Sequence, residues 1–407
     1  MQVRIATNQV FPGLEKLISG ERYGRVNSAL HALFNRTIQE MDDGLPFVIT
    51  GDIPAMWLRD STWQVKPLLL SKNSEVIELL INLSKSQVKL FLYDPYANAF
   101  NPSPNGNCWH KDFNNQSPWV FERKFELDSW ASILYLSREI IEKYGRTDHI
   151  TVDYKKAVNL MLELAKKEQS HDPESYVFLR ENTVPHDYLS HNGRGAPTAR
   201  TGMVFSGFRP SDDACTYGFH IPSNFFFANE LSRLPLADDF PLANQIASEI
   251  FAGIKNFAIK DEIYAYEVDG RGNALFMDDA NVPSLLSLPH LGVTTTDDPH
   301  YRSTREFILS KSNPYYFSGI KASGIGSQHT PNKHAWPIAI AMEALTSDDK
   351  NFQAQVLTLL EDTDADTGRM HESFHVDDAN VFTREWFSWS DMTYVDLVLA
   401  SVNYQYQ

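Results

Sequence analysis

The sequence predicts an all-α domain, a toroid of paired helices that carries its functional residues on loops. Two observations predict it. Apolar residues recur at three- and four-residue spacing in one segment after another along the chain, whereas strand-like runs are few and short. Between those segments lie long stretches dense in His, Asp, Arg, Gly and aromatic residues, the composition of site-building loops on a rigid scaffold. No Gly/Ser- or Pro-rich linker and no repeat divides the 407 residues, so a single domain, 1–407, is expected.

The elements follow in order. Residues 24–41 read as the first helix and 61–71 as the second, with Asp60-Ser61-Thr62 as its capping signal. Segments 75–93, 126–144 and 152–168 repeat apolar residues on one face and read as three more. A helix is expected over 214–232, with Ser211-Asp212-Asp213 as its N-cap and first turn, and others over 239–257, 302–310, 335–347, 351–361 and 387–401. Thr346-Ser347-Asp348 is a second capping signal. Tyr264–Val268 and Ala274–Phe276 are strand-like.

The formal net charge of −16 disfavours nucleic acid and anionic membrane as partners, since both require a basic footprint, and suits a neutral polyol. Cys108 and Cys215 are the two cysteines, and neither CxxC nor HExxH occurs, so no zinc site, cofactor or disulfide framework is expected. The opening residues lack a signal-peptide pattern and no apolar run approaches a membrane span, which makes a cytoplasmic, monomeric enzyme the expectation.

Five segments concentrate chemistry. In FSGFRPSDDACTYGFHIPSN (205–224) the adjacent Asp212 and Asp213 are hemmed in by apolar and aromatic residues. Such surroundings push neighbouring carboxyl pKa values apart and leave one able to hold a proton near neutrality, as glycosidic cleavage requires. Arg209 could pair with either Asp and hold it ionised. TGDIPAMWLRDSTWQ (50–64) offers Trp57 to pack on a sugar ring, with Arg59 and Asp60 to grip vicinal hydroxyls from the donor and acceptor sides; a plain salt bridge is the competing reading. In 101–128, Glu122 and Glu126 stand one helical turn apart, as do Arg123 and Glu126, so internal ion pairing competes with substrate contact for Glu126. SGIKASGIGSQHTPNKHAWP (318–337) has glycines that would let backbone approach a ligand, and His329 as its polar contact. In GRMHESFHVDD (368–378), Glu372 stands between His371 and His375 and could deprotonate water; Glu385, in FTREWFSW, is the lesser rival.

GDIPAMWLRDST, PWVFERKFELDS, SGFRPSDDACTYGF with IPSN, DDANVPSLL, GIGSQHTP and MHESFH together resemble glycoside hydrolase family 125, exo-acting α-1,6-mannosidases, in family order across essentially the whole chain. The resemblance implies an (α/α)6 barrel that removes terminal α-1,6-linked mannose from N-glycan-derived oligosaccharides, without a metal and with inversion. It places the acid in RPSDDA and the base in HESF, hence Asp212 or Asp213 as acid and Glu372 as base. In similar inverting hydrolases the first of the polar pair is the acid, which favours Asp212 and leaves Asp213 to bind sugar hydroxyls or tune its neighbour. Trp57, Arg59, Asp60, Glu126, Arg209, His329 and His371 are then the expected mannose-binding residues. One departure is TREWFSWSD, Thr383 to Asp391, where the family pattern reads TRPWFAWAN; it keeps Glu385 in view as a rival base. An epimerase on the same toroid, or a non-catalytic glycan-binding protein, are the alternative classes.

Overall fold

A computed structural model describes residues 5–110, 116–180 and 184–406. Residues 111–115 of the aromatic loop 101–128 therefore lie outside the description. Eleven helices of eight or more residues are present among the described residues: α1 (Gly20–Ala32), α2 (Leu58–Val65), α3 (Ser74–Tyr93), α4 (Leu127–Tyr144), α5 (Val152–Glu168), α6 (Ile221–Ser232), α7 (Leu242–Phe257), α8 (Pro299–Ile308), α9 (Pro337–Leu345), α10 (Lys350–Asp362) and α11 (Ser388–Ser401).

Burial sorts them into two kinds. All eight residues of α2 are buried, as are α6 up to Leu231 and α11 up to Leu399, polar positions included. A helix buried all round lies inside a larger body. In contrast, α7 buries one stripe, Ala243, Ile246, Ala247, Ile250, Gly253 and Ile254, at the spacing of one helical face. The inner helices pack in succession, α2 on α4 and α4 on α6, and from the other side α9 on α11 and α11 back on α2. Between α6 and α9 the chain at 284–291 makes short turns in place of a helix; Leu291 O accepts a hydrogen bond from Asn229 in α6. Outside, α3 packs on α4, α7 on α6 and α10 on both α9 and α11. One contiguous apolar core runs from Val10 to Tyr404.

The helices agree with the apolar periodicity, and the departures have local causes. The first helix stops early: Leu33–Thr37 widens into a π-type turn and Ile38–Glu40 leaves as a strand paired with Pro46–Val48. Gly44, at φ 81°, supplies the left-handed residue of the intervening turn. Ser211-Asp212-Asp213 is not a helix cap. Arg209 and Asp213 close a tight turn there, Asp213 O accepting from Arg209 N at 2.8 Å, with Asp212 at φ 66°. The helix starts only at Ile221, because Phe219–His220 pairs with Glu267–Val268 and Pro222 suits a first turn. Glu122 lies on a strand, Val120–Glu122, so Glu122 and Glu126 do not share a helical face, and Arg123 pairs with Asp94 at 2.6 Å instead of Glu126. The second helix begins at Leu58 without a side-chain cap bond, and α10 is capped by Asp349, one residue beyond the expected signal.

Candidate active site

The starts of α2, α4, α6, α9 and α11 gather around one group of residues. Short antiparallel sheets carry the chain into several of these helices: Met56–Trp57 beside Ala99–Phe100 and Val120–Glu122, Phe219–His220 beside Glu267–Val268, and His334–Ala335 beside Ser373–His375. A cavity of about 220 Å3 opens among them, lined by Trp57, Arg59, Asp60, Asp212, His329 and Glu372 together with other side chains.

On the first wall, Trp57 meets Phe121 edge to face at 5.6 Å and leaves its indole N–H without a partner among the described residues. Arg59, buried in the first turn of α2, gathers four carboxyls. Its Nη1 donates to Glu126 at 2.5 Å and Asp128 at 3.1 Å, its Nη2 to Asp212 at 3.4 Å, and Asp60 lies 3.6 Å from its Nε. Burial raises the Asp60 pKa to about 6 against the pull of the Arg59 charge. Arg59 and Asp60 thus form the salt bridge and also line the cavity.

The two aspartates of the acidic pair part company. Asp212 lines the cavity with a side chain 22% exposed, whereas Asp213 is buried at 1%, accepting from Ser211 Oγ and standing 3.6 Å from His329 Nδ1. Asp212 also accepts from Asn98 Nδ2 at 3.2 Å. Burial opposes its ionisation, but a hydrogen bond from Glu126 and the charges of Arg59, Lys124 and His329 outweigh it and hold Asp212 below the usual carboxylate range. Glu126 moves the other way: burial, together with the neighbouring Asp212 charge, outweighs Arg59 and raises it well above the ordinary glutamate value.

Across the site, Glu372 precedes the strand Ser373–His375 and receives Arg384 Nη1 at 3.2 Å. Arg384 also donates from Nε to Asp52 and from Nη2 to Thr50, which ties the hairpin beside Glu372 to the loop before α2. Gly51, at φ 126°, permits the bridge to Phe387 that completes this junction. His329 faces the cavity; burial would lower its pKa, but Asp213 and the charges of Glu372 and Asp212 raise it to about 9.

Four expected residues stand elsewhere. Arg209 is buried beneath the site, locked to Glu267 at 2.6 Å, and pairs with neither Asp side chain; the fixed carboxylate of Glu267 is the stronger partner. His371 is buried, its ring nitrogens facing the carbonyls of Glu385 and Asp364. Glu126 and Asp213 lie behind the lining and reach the cavity through Asp212 and His329. Glu385 is exposed and absent from the cavity wall, where Glu372 stands. The glycines of GIGSQH serve packing instead of ligand approach: a Cβ on Gly326 would fall 2.1 Å from His334 O. Sequence reasoning missed Arg384, Asn98 and Lys124. Arg384 sat next to the rival Glu385, and its distance from Asp52 along the chain gave no signal; Lys124 lay within the charge-dense FERKFELD run.

Residues 24–399 match the family described as metal-independent α-mannosidase (GH125). The chain belongs to this family. Among the relatives of this α-mannosidase is the Schizosaccharomyces pombe meiotically up-regulated gene 157 protein, 40% identical over 387 residues, covering 86% of this chain and 76% of the relative. A Streptococcus pneumoniae metal-independent α-mannosidase, solved in a non-productive complex with α-1,6-mannobiose, superposes with a TM-score of 0.92 at 40% identity, over 96% of this chain and 97% of its own. A bacterial glucoamylase bound to acarbose shares the fold alone, with a TM-score of 0.60 at 13% identity over 98% of this chain and 57% of its own. As a GH125 member the chain is a glycoside hydrolase, and the epimerase and non-catalytic readings fall away.

Proposed function

We propose that this α-mannosidase is a single catalytic domain of the (α/α)6 barrel type that releases terminal α-1,6-linked mannose with inversion, Asp212 acting as acid and Glu372 as base. The observation that carries the reading is that both carboxyls line one cavity from different segments of the chain, each held by its own arginine, Asp212 by Arg59 and Glu372 by Arg384. Inversion needs that division of labour: one carboxylic acid protonates the leaving oxygen while a carboxylate activates water on the far face of the sugar. Trp57 offers an apolar ring face and an unpartnered N–H to the mannose, and Arg59, Asp60 and His329 offer charge-assisted hydrogen bonds to its hydroxyls. The mannobiose complex of the pneumococcal relative supports the linkage. The inner succession of α2, α4, α6, the 284–291 segment, α9 and α11, with paired helices outside, supports the barrel.

The test is the hydrolysis of α-1,6-mannobiose followed by NMR. β-Mannose as the first-formed anomer, retained activity in EDTA, and a loss of about a thousandfold or more in turnover for Glu372→Gln with its melting temperature kept are the expected results. First-formed α-mannose would overturn inversion, and a fully active Glu372→Gln enzyme would overturn the base.

A further inference from the structure

Four carboxyls crowd one guanidinium: Glu126, Asp128 and Asp212 accept from Arg59, and Asp60 stands beside its Nε. Lys124 adds a second positive charge nearby, but it is paired with Asp187 at 2.7 Å and with Glu122 at 3.4 Å. Such a group cannot all be ionised, since like charges this close in a buried setting force a proton onto one of them. Asn98 narrows the choice. Its Oδ1 accepts from Lys124 N at 3.1 Å, which fixes the orientation of the amide, and its Nδ2 then faces Glu122 at 3.0 Å, Glu126 at 3.2 Å and Asp212 at 3.2 Å. An amide nitrogen has two hydrogens to give, so three carboxyl oxygens around it are one donor short. A carboxylic O–H between Glu126 and Asp212 makes up the deficit.

We infer that Glu126 is a positioning residue for catalysis, holding the proton that Asp212 delivers to the glycosidic oxygen. This rests on Asp212 being the acid. In the free enzyme the Glu126 O–H donates to the Asp212 carboxylate. As the glycosidic bond breaks, the Glu126 proton passes to Asp212 while Asp212 hands a proton on to the leaving oxygen, so that Asp212 is left a carboxylate and Glu126 becomes a carboxylate paired with Arg59. The attacking water gives one proton to Glu372 and its oxygen to the anomeric carbon. Glu372 then releases that proton to solvent and the Glu126–Asp212 pair takes one up, which closes the cycle. The directions in which burial and neighbouring charge move the two carboxyls agree with this resting state.

The experiment compares Glu126→Gln with wild type on two substrates, α-1,6-mannobiose, whose alkoxide leaving group needs a proton, and 2,4-dinitrophenyl α-mannoside, whose leaving group does not. Glutamine keeps the shape and the contact with Arg59's surroundings but has no proton to give. The expected result is a fall in kcat/KM of about 102-fold or more on mannobiose, a loss at least tenfold smaller on the activated substrate, and a displaced alkaline limb of the mannobiose pH profile, because that limb reports the acid of the free enzyme. Glu126→Asp, which restores a titratable proton, should recover part of the mannobiose activity. Equal losses on both substrates with an unmoved alkaline limb, or full activity of Glu126→Gln, would overturn the inference. Should Glu126→Gln not fold, the infrared difference between wild type and Asp212→Asn at neutral pH decides: a protonated-carboxyl band lost in the variant supports the shared proton, and its absence refutes it. Wild-type mannobiose hydrolysis by Asp212→Asn would instead show that the acid itself was misassigned.

Discussion

Asp212 occupies a left-handed backbone position, φ 66°, which Asp and Asn tolerate better than most residues because their short side chains bond locally. The turn aims its carboxyl into the cavity while Asp213, one residue on, points into the interior against Ser211 and His329. Sequence patterning marked the acidic pair but could not separate its members, because the distinction lies in one dihedral angle. His329 carries a prediction at the same scale. Its pKa in the folded protein is about 9, above the value near 6.5 of an unfolded chain. A raised value means that the charged imidazole stabilises the fold fully below about pH 6.5 and that this contribution fades as pH rises through 9. His329→Ala should therefore lower the melting temperature at pH 6 and converge with wild type by about pH 10. A deficit that is unchanged between those pH values would show that the Asp213–His329 pairing is not what the charge serves.

At the scale of elements, the helices that bury one face were legible because an apolar stripe at period 3.6 marks that face. The two-residue strands that hold the loops were not, since Met56–Trp57 and Phe219–His220 are too short to show a period of two. They matter all the same: they fix Trp57 ahead of α2 and keep the Asp212 turn ahead of α6. The loop bearing His329 shows how little tolerance remains. Gly326 passes so close to His334 O, and to the Phe317 ring, that any side chain must displace the strand His334–Ala335 that feeds α9. Gly326→Ala is expected to cost about 1–3 kcal/mol, in the range of overpacked cores, and to raise KM for mannobiose by moving His329. Calorimetry and steady-state kinetics check both, and an unshifted melting temperature with unchanged KM would contradict the packing argument.

Across the whole molecule, elements from the two ends of the sequence close on each other. The bidentate pair of Arg22 in α1 with Glu361 in α10, at 2.6 and 2.8 Å, is joined by Tyr394 in α11, which donates to Glu361 at 2.6 Å, and α11 packs on both α1 and α2. With the core contiguous from Val10 to Tyr404, unfolding should be one cooperative event. Helical circular dichroism and mannosidase activity should disappear together on heating, and Glu361→Ala, which strands both Arg22 and Tyr394, should lower that single transition by about 1–3 kcal/mol. Two separated transitions would refute the single-domain proposal. Part of the −16 charge is concentrated within the site, where Glu126 and Asp128 flank Arg59, a distribution that composition could not reveal.

The gathering of five helix starts around the cavity has a consequence of its own. Each start exposes backbone N–H groups equivalent to about half a positive charge, and the effect is confined to the first turn. Asp60 in α2, Asp128 in α4 and Asp391 in α11 fall within or beside those turns. The peptide backbone thus supplies a fixed positive potential beneath a pocket walled by carboxyl groups. It is a counter-charge that cannot be chelated or displaced, because it is built from the direction in which the helices run.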